Sequence, residues 1–287
     1  MQEYINKANT LIEALPYIRS FYGKTIVIKY GGNAMVNEEL KKKVIQDISL
    51  MKLVGMRPVI THGGGPVINR VLEKVNKKPE FIEGLRVTDE ETMEIVEMVL
   101  SGKVNKEIVT NIEKQGLTAV GISGKDGNIF TARKKLINGK DVGFIGEIEA
   151  VDTSLIEILI DKDFIPVIAP IGKDMAGNTY NINADYAASA IAGALQSEKL
   201  VFLTDIEGVL KDVNEPSSRI SHITLSEVDE LVKDGTISGG MIPKINCCAE
   251  SVKNGVKTVH ILDGRLEHSL LLEIFTDKGI GTMIHKD

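Results

Sequence analysis

The sequence predicts an α/β protein: a mostly parallel central sheet sandwiched by helices, with β-hairpins and an extra helix at the N-terminus. Three observations predict it. From residue 24 onward, short apolar runs alternate with stretches of helical period, a pattern that builds parallel sheets covered on both faces. The runs are apolar throughout, as in Ile26-Val27-Ile28 and Pro58-Val59-Ile60. Two of them end in glycines that lead into helical pattern, at Lys29-Tyr30-Gly31-Gly32-Asn33 and at His62-Gly63-Gly64-Gly65-Pro66.

The elements follow in order. Tyr4, Ile5, Ala8, Leu11, Ile12, Leu15 and Ile18 recur at helical spacing, which makes 3–20 an amphipathic helix ahead of the first strand. Strands are expected at 25–30, 57–61, 118–122 and 165–169, with helices at 37–54, 66–76, 90–114 and 153–161. Residues 127–149 lack helical period, and Gly127-Asn128, Asn138-Gly139 and Gly143 mark them as β-hairpins. Asn183 is placed to cap an alanine-rich helix over 184–195, and 199–205 is a buried strand ending in an acid. Residues 206–222 read as loop, followed by helices at 225–234 and 241–254, a strand at 257–262, a helix at 267–275 and a strand at 281–285. No low-complexity linker interrupts the chain, so two lobes of one continuous sheet are expected, with strand ends converging on a shared cleft.

Composition narrows the function. With 43% hydrophobic and 26% charged residues the chain reads as a soluble globular protein. A net charge of −6, with no basic face beyond Lys41-Lys42-Lys43, argues against nucleic acid as a partner. The start, Met1-Gln2-Glu3-Tyr4-Ile5, has no signal-peptide character and no membrane span is visible, so the cytoplasm is expected. The adjacent Cys247 and Cys248 point in different directions on a helix and read as free thiols in a reducing compartment. The five histidines show no metal spacing, and no metal ligand is expected from protein side chains.

A strand that ends in glycines and turns into a helix aims bare N–H groups at whatever lies above the sheet, which favours phosphate or carboxylate there. Two such turns suit a site that grips two anions at once, as phosphoryl transfer requires. Other glycine motifs fit less well. Gly23-Lys24-Thr25 resembles the end of a Walker A loop, but Ile18 stands where its first glycine belongs. Gly63-x-Gly65 is followed by Ile68 where a dinucleotide fingerprint needs glycine, and an esterase reading of His62-Gly63-Gly64-Gly65 lacks its Gly-x-Ser-x-Gly partner. The glycines by themselves are also compatible with tight turns and nothing more. Candidate cations are Lys29, at the end of a buried strand, and Lys244, early in a helix after Gly239-Gly240. A lysine there opposes the helix dipole and calls for an anion, for which Asp185 is a candidate; Asp205 is a second candidate acid. Arg86 precedes a capped helix and has the bidentate fork that clamps a carboxylate.

Lys29-Tyr30-Gly31-Gly32-Asn33-Ala34-Met35, His62-Gly63-Gly64-Gly65-Pro66, Gly84-Leu85-Arg86-Val87-Thr88, Asn181-Ile182-Asn183-Ala184-Asp185 and Gly239-Gly240-Met241-Ile242-Pro243-Lys244 occur in this order. Together they resemble the N-acetylglutamate kinases of the amino acid kinase family, from about residue 24 to the C-terminus. The resemblance implies the amino acid kinase fold, with an interaction helix over 1–22, an amino-acid-substrate lobe over 23–174 and a nucleotide-binding lobe over 175–287. It implies phosphorylation of the side-chain carboxylate of N-acetyl-L-glutamate by ATP with Mg2+, the second step of arginine synthesis by the acetylated route. By the same resemblance, Lys29 and Lys244 neutralise developing charge and Asp185 orients them. Gly64, Gly65, Arg86 and Asn181 bind the amino acid. ATP lies against Gly31, Gly32, Thr204, Asp205, Gly208, Leu210, Gly240 and Met241.

Residues 267–283 are similar to a segment of arginine-inhibited members, which also carry an N-terminal helix and form hexameric rings, trimers of dimers. This implies feedback inhibition by L-arginine, held by Tyr22, His268, Glu273 and the backbone at Gly279. Docking of a PII-type signalling protein on the ring is left open. Sister acyl kinases, carbamate kinase and a non-catalytic arginine sensor are the alternatives. The intact Lys29, Lys244, Asp185 and glycine pairs speak against the sensor.

Overall fold

The computed structural model of the chain describes residues 1–212, 214–276 and 279–287. Two helices, α1 (Gln2–Glu13) and α2 (Leu15–Phe21), lead into the first strand, β1 (Thr25–Tyr30). Pro16 lies in the first turn of α2, where its missing N–H divides the helix expected over 3–20. There follow α3 (Glu38–Leu53), β2 (Arg57–His62), α4 (Gly65–Lys74), the short strands β3 (Phe81–Ile82) and β4 (Leu85–Arg86), and α5 (Glu90–Glu97). A π-helical turn, Met98–Val104, joins α5 to α6 (Asn105–Glu113), and β5 (Ala119–Ser123) comes next. The middle of the chain holds β6 (Phe130–Ile137), β7 (Lys140–Val151), α7 (Ser154–Asp161), β8 (Ile165–Ala169), β9 (Ile171–Lys173), β10 (Thr179–Ile182), α8 (Ala184–Ala194) and β11 (Lys199–Thr204). The last part holds β12 (Val209–Leu210), β13 (Arg219–Ile220), β14 (His222–Thr224), α9 (Leu225–Lys233), α10 (Met241–Lys253), β15 (Thr258–Asp263), α11 (Ser269–Ile274) and β16 (Thr282–His285).

Eight strands form one sheet in the order β14-β16-β15-β11-β1-β2-β8-β5. Every pairing is parallel except that of β15 with β16. β1 lies near the middle with a buried strand on each side, which is why its sequence is apolar on both faces. Alternation then assigns the faces. Ile26 and Ile28 pack with α3 and the α5–α6 segment, whereas Val27 packs with α8 and α10. Lys29 shares the parity of Val27 and emerges on the α8–α10 side.

Three further features differ from the sequence expectation. The helix expected over 90–114 contains the π turn. The hairpin β6–β7 closes with β9 and β10 into a four-stranded barrel, because short strands after β8 supply both missing edges. The stretch 206–222 holds the antiparallel pair β12–β13. Among the described residues no helix is long and apolar enough to cross a membrane.

Candidate active site

Three elements of different sequence origin converge at the C-terminal end of β1. Lys29 is its penultimate residue. Asp185 sits in the first turn of α8, held there by Asn183, whose side chain accepts from the N–H groups of Asp185 and Tyr186. Lys244 lies in the first turn of α10. Lys29 Nζ is 3.0 Å from Asp185 Oδ1 and Lys244 Nζ is 2.5 Å from Oδ2. Burial acts to raise the Asp185 carboxyl, but the two ammonium groups outweigh it and hold it at about 2. The carboxylate is therefore ionised and shared, and the cluster keeps one positive charge in excess.

The glycine turns are shaped by their neighbours. A side chain on Gly31 would collide with Lys29 Nζ. Gly32 has φ +66°, a conformation glycine adopts without steric cost, and a Cβ there would lie 2.5 Å from Asp205 Oδ1. Asp205 Oδ1 also accepts the Asn33 N–H at 2.6 Å, so the end of β11 holds the first glycine turn. At the second turn Gly63 N–H bonds to Tyr30 O at 3.0 Å, and Leu100 occupies the space a Gly64 side chain would need.

Beside this turn is a cavity of about 180 Å3 lined by Gly63, Gly64, Gly65, Arg86 and Asn181 among others. Four of the sequence-predicted substrate residues thus meet at one place. Arg86 arrives on the β3–β4 hairpin, whose turn residues Glu83 and Gly84 have φ +49° and +77°, the two positive values a tight two-residue hairpin requires. Its Nη2 donates to Asn69 Oδ1 at 2.6 Å, and its guanidinium lies 4.7 Å from the Phe81 ring centroid. Nη1 is buried with no partner among the described residues. Burying a charged donor without an acceptor is costly, so this nitrogen is a ready point for an anionic oxygen. Asn181 donates to Thr88 Oγ1 at 3.3 Å, which in turn donates to Arg86 O at 2.7 Å.

A second cavity, of about 320 Å3, is lined by Asp205, Gly208, Leu210, Met241, Ser238 and Arg265 among others. Gly240 lines a wider cleft that also contains Asp185 and Lys244. Thr204 is placed differently: its hydroxyl is bound to the main chain at Ile206 and Leu262, and the side chain is buried. Ser238 and Arg265 were not singled out from the sequence. The available signal for Arg265 was its position after Asp263-Gly264 at the end of β15, and it forms a bidentate pair with Asp263 at 2.8 Å.

The residues expected to hold an effector are engaged with neighbours in the chain. His268 Nδ1 is 2.5 Å from Asp47 Oδ1. Glu273 is bound to His260 at 2.7 Å and to Ile280 N–H at 2.9 Å. Gly279 lies beside the Glu273 carboxylate, and Tyr22 packs against Gly55. Asp277 and Lys278, within the same segment, lie outside the described residues. The apolar residues of α1 are uncovered, with Tyr4 70% and Leu11 72% exposed.

Residues 24–263 match the amino acid kinase family. The chain is 59% identical over 283 residues to an acetylglutamate kinase of Caldanaerobacter subterraneus subsp. tengcongensis, covering 99% of this chain and 94% of that protein. It is 56% identical to one of Heliobacterium modesticaldum over the whole of both chains. Among solved structures it is similar to N-acetylglutamate synthase from Neisseria gonorrhoeae complexed with coenzyme A and N-acetyl-glutamate, with TM-score 0.86, 30% identity and 98% of this chain covered. It spans 63% of that synthase chain. The same synthase complexed with coenzyme A and L-arginine gives TM-score 0.79 at 29% identity, covering 98% of this chain and 65% of that one. A carbamate kinase from Giardia lamblia bound to AMP-PNP shares the fold, with TM-score 0.65 at 20% identity, covering 92% of this chain and 99% of that one.

Proposed function

The chain belongs to the amino acid kinase family, and we infer that it transfers the γ-phosphoryl group of ATP to the side-chain carboxylate of N-acetyl-L-glutamate, the second step of arginine biosynthesis. The observation that carries this reading is the Lys29–Asp185–Lys244 cluster, in a cleft that shares residues with the Arg86 cavity. The acceptor carboxylate is already ionised near neutral pH and needs no general base. One of its oxygens forms the new O–P bond as the bond from the γ-phosphorus to the bridging oxygen breaks, leaving ADP and an acyl phosphate. The residues' task is to align the two anions and to offset their charge. Lys29 and Lys244 face the transferring group, held by Asp185. N–H groups of the Gly31-Gly32 and Gly64 turns receive phosphate and carboxylate oxygens. Arg86 Nη1 takes the α-carboxylate, with Gly65 and Asn181 beside it. ATP, carrying Mg2+ on its own phosphate oxygens, lies against Asp205, Gly208, Leu210, Gly240 and Met241. Residues 23–174 then serve the amino acid and 175–287 the nucleotide. Two buried free thiols suit the reducing cytoplasm, where we place this activity.

The purified chain is expected to release ADP from MgATP with N-acetyl-L-glutamate and far more slowly with glutamate, aspartate or carbamate. Faster turnover of any of the latter three would replace this reading with a sister kinase. L-Arginine as a feedback inhibitor and a hexamer joined through α1 belong to the same reading. The similarity to a synthase solved with L-arginine and the uncovered apolar face of α1 support them. Tyr22, His268, Glu273 and the Gly279 backbone are the proposed contacts, and arginine there exchanges for part of the pairing among Glu273, His260 and Ile280. A PII-type partner is left to a binding measurement on the ring.

A further inference from the structure

The second glycine turn is backed by two buried polar side chains that the chemistry above leaves without a role, His62 and Asn105. Asn105 Nδ2 lies 2.9 Å from Val167 O and 3.2 Å from Ile122 O. Both carbonyls can only accept, so the amide turns its NH2 toward them. The same amide nitrogen lies 3.2 Å from His62 Nε2; an amide nitrogen cannot accept, so a proton on Nε2 would find no acceptor there and Nε2 is the unprotonated ring nitrogen. The proton of the neutral ring is left on Nδ1, which is 2.9 Å from Gly63 O and donates to it. Burial favours the neutral form, holding the imidazole at about 4, with Lys106 adding to that effect against the opposing Gly63 bond.

This chain of bonds has a geometric consequence. The Gly63–Gly64 peptide is trans, so its C=O and N–H point in opposite directions. With Gly63 O drawn to the imidazole, Gly64 N–H is turned the other way, and Gly64 lines the cavity that Arg86 also lines. We propose that His62 and Asn105 are positioning residues, a buried relay that fixes the imidazole tautomer and thereby aims Gly64 N–H at the anion undergoing phosphoryl transfer. The surroundings are built to hold the relay. Asn105 directly follows the π turn, and Leu100, from that same turn, fills the space beside Gly64. Gly121 leaves room for Asn105 Oδ1, which a side chain there would strike. The relay rests on the kinase reading for its purpose, but its geometry is independent of which carboxylate is phosphorylated.

The test begins with wild-type turnover of N-acetyl-L-glutamate, whose absence counts against the kinase reading and not against the relay. Nitrogen-15 NMR of histidine-labelled wild type is expected to show His62 neutral with its proton on Nδ1 at neutral pH. A proton on Nε2 overturns the proposal. His62→Leu removes the Nδ1 donor, and His62→Asn keeps an N–H at nearly the same place. With the acceptor that wild type uses, His62→Leu is expected to lower kcat by about 100-fold, the scale of one lost oxyanion donor, with little change in the KM for ATP. His62→Asn is expected to recover most of kcat. Loss of kcat that follows each variant's melting temperature instead of its donor overturns the relay, as does a folded His62→Leu enzyme within about twofold of wild type. If His62→Leu does not fold, the tautomer measurement decides.

Discussion

Lys29 and Lys244 set two positive charges against the one carboxylate of Asp185, and in the reaction proposed above the excess charge is what the transferring phosphoryl group meets. If both act on charge that develops in the transition state, Lys29→Ala and Lys244→Ala each lower kcat by well over tenfold while KM values move less. Steady-state kinetics check this, and near-wild-type kcat in either variant removes that lysine from the mechanism. Arg86 has a different expected signature, since in the proposed reaction its buried Nη1, without a partner among the described residues, serves ground-state binding. Loss of a charged hydrogen bond, worth roughly 1.5–3 kcal/mol, raises the KM for N-acetyl-L-glutamate about 10- to 100-fold in Arg86→Ala and leaves the KM for ATP almost unchanged. The reverse pattern assigns Arg86 to the nucleotide.

At the scale of elements, the helices were readable from their period and the central strands from continuous apolar runs, as β1 and β8 show at the limits expected for them. The π turn was not, because 90–114 keeps a continuous helical pattern and one extra residue per turn is decided by what packs on it. β9 and β10 are three and four residues long, too short to establish alternation, and only pairing with the β6–β7 hairpin makes them strands. The contact of α3 with α11 carries its own pH dependence. Asp47 of α3 is buried and faces His268; burial pushes its carboxyl up to about 6, against the opposing pull of the imidazole. The native state then binds this proton more tightly than the unfolded chain, whose carboxyl stays near 3.8. Stability from this group is full below that lower value and is lost as pH rises through about 6. The loss amounts to about 3 kcal/mol, at roughly 1.4 kcal/mol per pH unit. Asp47→Asn removes that loss. The melting temperature of wild type relative to this variant is expected to fall between about pH 4 and pH 7, and a constant difference rejects the assignment.

For the whole molecule, one uninterrupted sheet ties residues 23–174 to residues 175–287, the parts proposed to serve the amino acid and the nucleotide, and β10 from the second part completes a barrel begun in the first. α1, by contrast, exposes its apolar residues and has no buried residue of its own. An apolar face of that kind is stabilised by a partner. Deleting 1–22 is expected to convert a hexamer to dimers and to weaken inhibition by L-arginine, with turnover largely kept. Arginine must bind the slow state more tightly than the fast one to inhibit in this way. Light scattering and inhibition curves check both halves of the prediction, and a truncated enzyme that stays hexameric and equally sensitive removes α1 from the assembly.

The sequence by itself determined the sheet and its two glycine turns, because continuous apolar runs that end in glycine and lead into helical period build parallel strands, and its motifs offered Lys29, Asp185, Lys244 and Arg86 as candidates. Tertiary structure decided what those residues touch. It brought Asp185 from the first turn of α8 between two lysines far away in sequence, and it enclosed Glu273 with His260 where the sequence suggested a free acceptor. It also set Asn105 behind His62. No local period encodes such contacts, since each depends on the register of strands distant in the chain and on the burial that makes an unpaired polar group costly.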